Sequence, residues 1–152
     1  MIRKLEVRLI AHRGNLRGPD PDRENRQHYI DEALELGFEA EVDLWALDGA
    51  LWLGHDSPQY ETSLTWIEER HSNLWVHCKN VGAVDYLSGS SYNWFFHNQD
   101  DLAITSQGFV WCYPGISLPS KEFVMLSFGK QEPTVPDNAI GLCSDHLASW
   151  LD

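Results

Sequence analysis

An apolar run from Val7 to Ala11 predicts a strand that stops at Gly14, and the Gly-, Pro- and Asp-rich stretch from Gly14 to Asp22 predicts a loop. Tyr29, Ile30, Ala33 and Leu34 then recur at helical spacing between Gln27 and Leu36, with Asn25 placed to cap the helix and Gly37 where a C-cap glycine belongs. From Phe38 to Leu47 the pattern alternates, so a second strand carries Glu41 and Asp43 on one face. Asp48-Gly49 is a hairpin turn signal, and the return strand Leu51-Trp52-Leu53 delivers His55 and Asp56 beside that face.

Thr62-Ser63 can cap a helix running through Leu64, Trp66 and Ile67 towards Arg70, and Thr65 with Glu68 at capping-box spacing offers a second start. Leu74 to Lys79 predicts a third strand with His77 and Lys79 on one face, followed by a short helix from Asn80 through Val84 and Leu87 that ends at Gly89. Strand segments recur at Trp94 to His97, Phe109 to Tyr113, Phe123 to Ser127 and Ala139 to Cys143, with Pro114-Gly115 and Pro133 to Pro136 as punctuation. Without the hairpin's short return strand, the main strand starts at Val7, Phe38, Leu74, Trp94, Phe109, Phe123 and Ala139 number seven, about one fewer than a complete TIM barrel has, and 152 residues is short of its usual length of about 250. The expected fold class is therefore α/β: a reduced or irregular TIM-type (β/α) barrel with helices lost in the second half. With 43% hydrophobic residues and no linker-like stretch, one domain over residues 1–152 is expected.

A net charge of −12 with only 11 Lys and Arg argues against nucleic acid as a partner. No apolar run approaches a membrane span and none precedes the first strand, so the chain reads as soluble and cytoplasmic. Cys78, Cys112 and Cys143 fall in apolar strand-like segments and are odd in number, which fits small buried thiols rather than a disulfide framework.

The chemistry is concentrated between Ala11 and Asp56, in AHRGNLRGPDPDRENRQHYIDEALELGFEAEVDLWALDGALWLGHD. His12, Glu41, Asp43 and His55 each fall at a strand end. Two carboxylates and two histidines can hold a divalent cation while moving protons at oxygens around a phosphorus. Glu41 and Asp43 buried on one face would repel each other unless a cation joined them. The same cation would offset the chain's acidity where an anionic diester binds.

The succession HRG, EN, E-x-D, Asp-Gly and HD resembles the glycerophosphodiester phosphodiesterase family, a TIM-barrel family related to phosphatidylinositol-cleaving phospholipases C. The likeness covers about a third of the chain and thins beyond it to Lys79, Trp111 and Asp145. It implies that His12 and His55 act as general acid and base, that Glu41 and Asp43 bind a divalent metal, and that Lys79 contacts phosphate. Hard oxygen ligands suit Mg²⁺ or Ca²⁺. Where the family has Glu-x-Lys, this chain has His77-Cys78-Lys79. His77 either coordinates through a ring nitrogen, favouring Mn²⁺ or Zn²⁺, or leaves the site one ligand short.

Other residues keep two readings each. Arg13 either clamps a phosphate or pairs with Glu24, which is itself a ligand or an ion-pair partner, while Asn25 is read as a cap. Asp56 either ligates or orients His55. Trp111 and Tyr113 are either core or an aromatic wall for the leaving alcohol. His97, Asn98, Asp100, Asp101, Asp145 and His146 are weaker candidates at strand ends.

The leading expectation is a metal-dependent phosphodiester hydrolase acting on a small glycerophosphodiester-like molecule by His acid/base catalysis. The alternatives are a catalytically silent barrel binding an anionic metabolite or metal, and a phosphomonoester hydrolase. Exposed edges of an incomplete barrel would also be open to a second subunit, making a homo-oligomer.

Overall fold

A computed structural model describes residues 7–114, 116, 123–128 and 135–151. The strands, in chain order, are β1 (Arg8–His12), β2 (Glu39–Leu47), β3 (Ala50–Leu53), β4 (Tyr60–Thr62), β5 (Leu74–Cys78), β6 (Trp94–Phe95), β7 (Leu102–Ile104), β8 (Val110–Cys112), β9 (Phe123–Ser127) and β10 (Ala139–Ser144). Three short helices accompany them among the described residues: α1 (Gln27–Glu35), α2 (Leu64–Glu68) and α3 (Val81–Leu87).

All ten strands share one sheet in the order β4-β3-β2-β1-β10-β9-β8-β7, with β5 added beside β2 and β6 beside β5. β1 pairs in parallel with β2 and β10, as do β9 with β10 and with β8, and β5 with β2 and with β6. The pairs β2–β3, β3–β4 and β7–β8 are antiparallel.

This corrects the expected α/β architecture. The molecule is a strongly curled, mixed β half-barrel with three short helices among the described residues, not a TIM-type (β/α) barrel in which strand and helix alternate. The reason is local. Asp48 (φ 50°) and Gly49 (φ 79°) form a two-residue turn, so β2 continues into a hairpin rather than a crossover helix. Past Leu87 the described connections are short, and a single 3₁₀ turn at Ala148–Trp150 is their only helical element. Gly115 and Pro133, read as loop punctuation, lie outside the described residues.

The curl is set by what it encloses. Ile10, Trp75, Phe95, Trp111, Val124, Leu126 and Cys143 fill the concave side. The Phe95 and Trp111 rings lie 4.7 Å apart and those of Trp75 and Trp111 5.5 Å apart, although β6 and β5 are not hydrogen-bonded to β8. Burying Ile10, Phe95 or Val124 contributes roughly 1.5–3 kcal/mol each. At the lower end Arg8 pairs with Glu39 at 2.7 Å and lies 5.0 Å over the Trp75 ring.

On the convex side, Ile30, Ala33, Ile67, Ala83 and Leu87 of the helices pack on Ala40, Val42, Leu74 and Val76. Ser63 caps α2 by accepting from the Trp66 amide at 3.1 Å, and Asn80 caps α3 by accepting from the Ala83 amide at 2.9 Å. Gly37 (φ 92°) closes α1, its amide bonding to Leu34 O while the Phe38 amide bonds to Ala33 O. No helix among the described residues is long and apolar enough to cross a membrane.

Candidate functional site

The side-chain period of two carries the inward face of five strands from apolar to polar at the C-terminal end. Ile10 is followed by His12, Trp75 by His77, Phe95 by His97, Trp111 by Tyr113 and Cys143 by Asp145. A cavity of about 140 Å³ lies there, with His12, Glu41, Asp43, His55, His77 and His97 in its wall. Phe95 and Trp111 line it as well, and Tyr113 and Phe128, 36% and 40% exposed, are its more open aromatic members.

Glu41, Asp43 and His77 each present one ligand-type atom, all within 4.8 Å of one another. His77 Nδ1 is 3.2 Å from Asp43 Oδ1 and 3.8 Å from Glu41 Oε1, and Lys79 Nζ is 4.0 Å from the same Asp43 oxygen. The His77 ring stacks against both Phe95 at 4.8 Å and His97 at 4.6 Å, whose own centroids are 6.0 Å apart, so its plane is held from the β6 side. Burial and the neighbouring Asp43 charge push the Glu41 carboxyl well above the usual range. Burial would raise Asp43 too, but His55, His77 and Arg13 outweigh it and hold that carboxyl well below the usual range. Asp43 Oδ1 is buried without a hydrogen-bond partner. An orphaned carboxylate oxygen beside a second carboxylate and an imidazole fits a divalent cation, the mixed donors admitting Mn²⁺ or Zn²⁺ beside Mg²⁺ or Ca²⁺.

The other Asp43 oxygen is fixed by Asn25. Asn25 Nδ2 donates to Asp43 Oδ2 at 2.8 Å, and the Asp43 amide donates to Asn25 Oδ1 at 2.9 Å. Asn25 is therefore not the cap of α1: its backbone is left-handed (φ 63°), and the cap position falls on Arg26, whose side chain makes no capping bond.

The two histidines flank this group. His12 Nδ1 donates to Asp145 Oδ1 at 2.8 Å, and its Nε2 lies 3.9 Å from Glu41 Oε2. Burial would raise Asp145, but its bonds from His12 and Asn15 hold it below the ordinary carboxylate range. His55 arrives on a turn that only glycine permits, since a Cβ on Gly54 would sit 2.0 Å from Ser57 O. Its Nδ1 is 3.4 Å from Asp43 Oδ2, and its Nε2 accepts from Arg13 Nη2 at 3.0 Å.

No family model matches the chain, and neither does any curated protein or solved structure. The residues themselves carry what can be said of the site. His12, Arg13, Glu41, Asp43, His55, His77, Trp111 and Tyr113 come together around one cavity, with Lys79 beside it. Arg13 makes its pair with Glu24 at 3.2 Å, and its buried Nε lies 3.5 Å from Asp43 Oδ2. Trp111 is buried at the base of the site.

Asp56, 97% exposed at its side chain, lies 3.7 Å from His55 Nε2 and outside the three-ligand group, and Asn98, Asp100 and Asp101 are exposed away from the cavity. Of that polar cluster His97 alone joins the site, where burial and the nearby His77 and Lys79 push it down to about 4. Asp145, a weaker candidate by sequence, is the direct partner of His12. Asn15 and Phe128 carry no sequence signal. Asn15 follows a loop glycine like any turn residue, and the Phe128 ring meets His12 at 4.8 Å across the cavity.

Proposed function

We propose that this chain is a metal-dependent phosphodiester hydrolase acting on a small diester that carries a hydroxyl beside the phosphoester, as a glycerophosphodiester does. One observation carries the reading: two imidazoles, each aimed by a carboxylate or guanidinium partner, stand on either side of a three-ligand group suited to a cation. Glu41, Asp43 and His77 would hold the cation, which supplies Lewis-acid polarisation of a phosphoryl oxygen when bound.

In this reading His12, with Asp145 behind it to stabilise an imidazolium, takes the proton of the substrate hydroxyl as its oxygen bonds to phosphorus. The bond from phosphorus to the other alcohol breaks, and His55 protonates that leaving oxygen. The product is a cyclic phosphate, which water opens with the two roles reversed. Arg13 leaves His55 Nε2 for the phosphate oxygens, since a guanidinium prefers a bidentate oxyanion to one imidazole nitrogen. Lys79 adds a second positive charge on the same side. A cavity of about 140 Å³ is below the range of about 300–1,000 Å³ for drug-sized ligands. It suits a phosphoryl group with a glycerol-sized alcohol, the remainder lying against Tyr113 and Phe128 outside.

The test is turnover of glycerophosphocholine, glycerophosphoinositol and an aryl phosphodiester with Mg²⁺, Ca²⁺, Mn²⁺ and Zn²⁺ in turn. Release of the alcohol that stops on chelation and returns with cation supports the proposal. Cation uptake without turnover of any diester would refute it and leave the silent, ligand-binding alternative.

A further inference from the structure

A chain of hydrogen bonds joins the two imidazoles through Asp145, Asn15, Glu24 and Arg13, of which only Arg13 lines the cavity. Asp145 Oδ1 accepts from His12 Nδ1 at 2.8 Å and from Asn15 Nδ2 at 2.8 Å. The same Asn15 nitrogen donates to Glu24 Oε1 at 2.8 Å, Glu24 Oε2 accepts from Arg13 Nη1 at 3.2 Å, and Arg13 Nη2 donates to His55 Nε2 at 3.0 Å. Asn15 is the node between the two arms and is wholly buried.

Its chemistry matches that place. The Tyr29 hydroxyl donates to Asn15 Oδ1 at 3.0 Å, so the amide oxygen faces the donor and the amide nitrogen faces the two carboxylates. An amide nitrogen offers two N–H donors and no charge. It can therefore serve Asp145 and Glu24 together while leaving both negative. A hydroxyl has one donor, and Lys or Arg would neutralise the charge that His12 and Arg13 each require.

We infer that Asn15 is a positioning residue for both histidines, holding Asp145 so that His12 keeps its hydrogen on Nδ1 and holding Glu24 so that Arg13 stays against His55. The inference rests on the acid–base reading above and extends it to a residue that lines no part of the cavity. A merely structural Asn15 would tie its loop to β10 and α1, and its loss would lower stability while leaving the imidazoles as they are.

The experiment uses the full chain with ¹⁵N-labelled histidine, reading each ring's tautomer from its nitrogen–proton correlations, alongside turnover of an aryl phosphodiester with Mn²⁺. In Asn15→Leu both His12 and His55 should lose their wild-type tautomer balance, whereas Asp145→Asn should alter His12 alone and Glu24→Gln His55 alone. Asn15→Leu should also lower kcat/KM roughly 10–100-fold, the usual cost of losing an outer supporting partner. An Asn15→Leu spectrum in which either imidazole keeps its wild-type pattern overturns the inference. Should that variant not fold, Asn15→Ser decides. Its single hydroxyl donor can satisfy one carboxylate, so at least one imidazole must change, and no change in either overturns the inference. Absence of turnover in the wild-type chain would defeat the proposed function, and the ring spectra would still decide the place of Asn15.

Discussion

Replacing Asn25 by Ala tests whether this residue is the clamp on Asp43 or an ordinary helix cap. Both residues are about 1% exposed, so the lost bonds are not replaced by water. The bond from Asn25 Nδ2 to the Asp43 carboxylate is of the charged kind, worth about 1.5–3 kcal/mol, and the bond from the Asp43 amide to Asn25 Oδ1 is worth about 0.5–1.5 kcal/mol. Alanine at φ 63° adds about 1–2 kcal/mol that asparagine largely avoids. Together the substitution should cost about 3–6.5 kcal/mol, a large share of the 5–15 kcal/mol typical of a folded chain. At about 2–4 °C per kcal/mol for this length, melting should fall by roughly 6–26 °C. Urea denaturation measures the free energy, and Asn25→Gly separates the parts: glycine tolerates the backbone, so it should lose the bond energy alone. Divalent-cation affinity should drop roughly 10–100-fold, because Asp43 loses the group that orients it. A cap would cost only about 1 kcal/mol and leave the cation untouched. That result would refute the clamp.

His12→Ala and His55→Ala should each lower diester turnover by about 10²–10⁴ while cation binding by calorimetry persists, and full activity in both would make the imidazoles structural. Asp43→Asn should weaken the cation by roughly tenfold or more. His77→Glu should move metal preference from Mn²⁺ or Zn²⁺ towards Mg²⁺ or Ca²⁺; identical preferences in activity titrations would remove His77 from the ligand set. His97 supplies the pH prediction: its folded value is lowered to about 4 from 6.5, so the unfolded chain binds the extra proton between those values. Its contribution to stability is complete above about pH 6.5 and is lost as pH falls towards about 4. His97→Phe should flatten the stability profile over that window in urea titrations, and an unchanged profile would show that another group is responsible.

The local pattern made the elements legible. Helical spacing gave α1 with its closing glycine, alternation put Glu41 and Asp43 on one face, and Asp48-Gly49 announced the hairpin that returns His55. Each depends on residues within a few positions of one another, so the sequence alone contains the physics. The motif from His12 to Asp56 likewise marked the cavity residues that lie close in the chain.

The architecture was not legible in that way. Strand segments of similar composition serve a barrel interleaved with helices or a mixed, curled sheet, and the choice lies in which edges pair and how short the connections are. Asn25 carried a cap's signature and became a clamp because its left-handed backbone turns the side chain to Asp43, 18 positions away. Asp145 reaches His12 across 133 positions, and Asn15 reaches Asp145 across 130, through the parallel pairing of β1 with β10. By itself the sequence determined which side chains are candidates for the chemistry and which strand faces they occupy, because backbone periodicity is local. Only the tertiary structure decided which partners aim them, because those bonds exist only once distant strand ends are brought side by side.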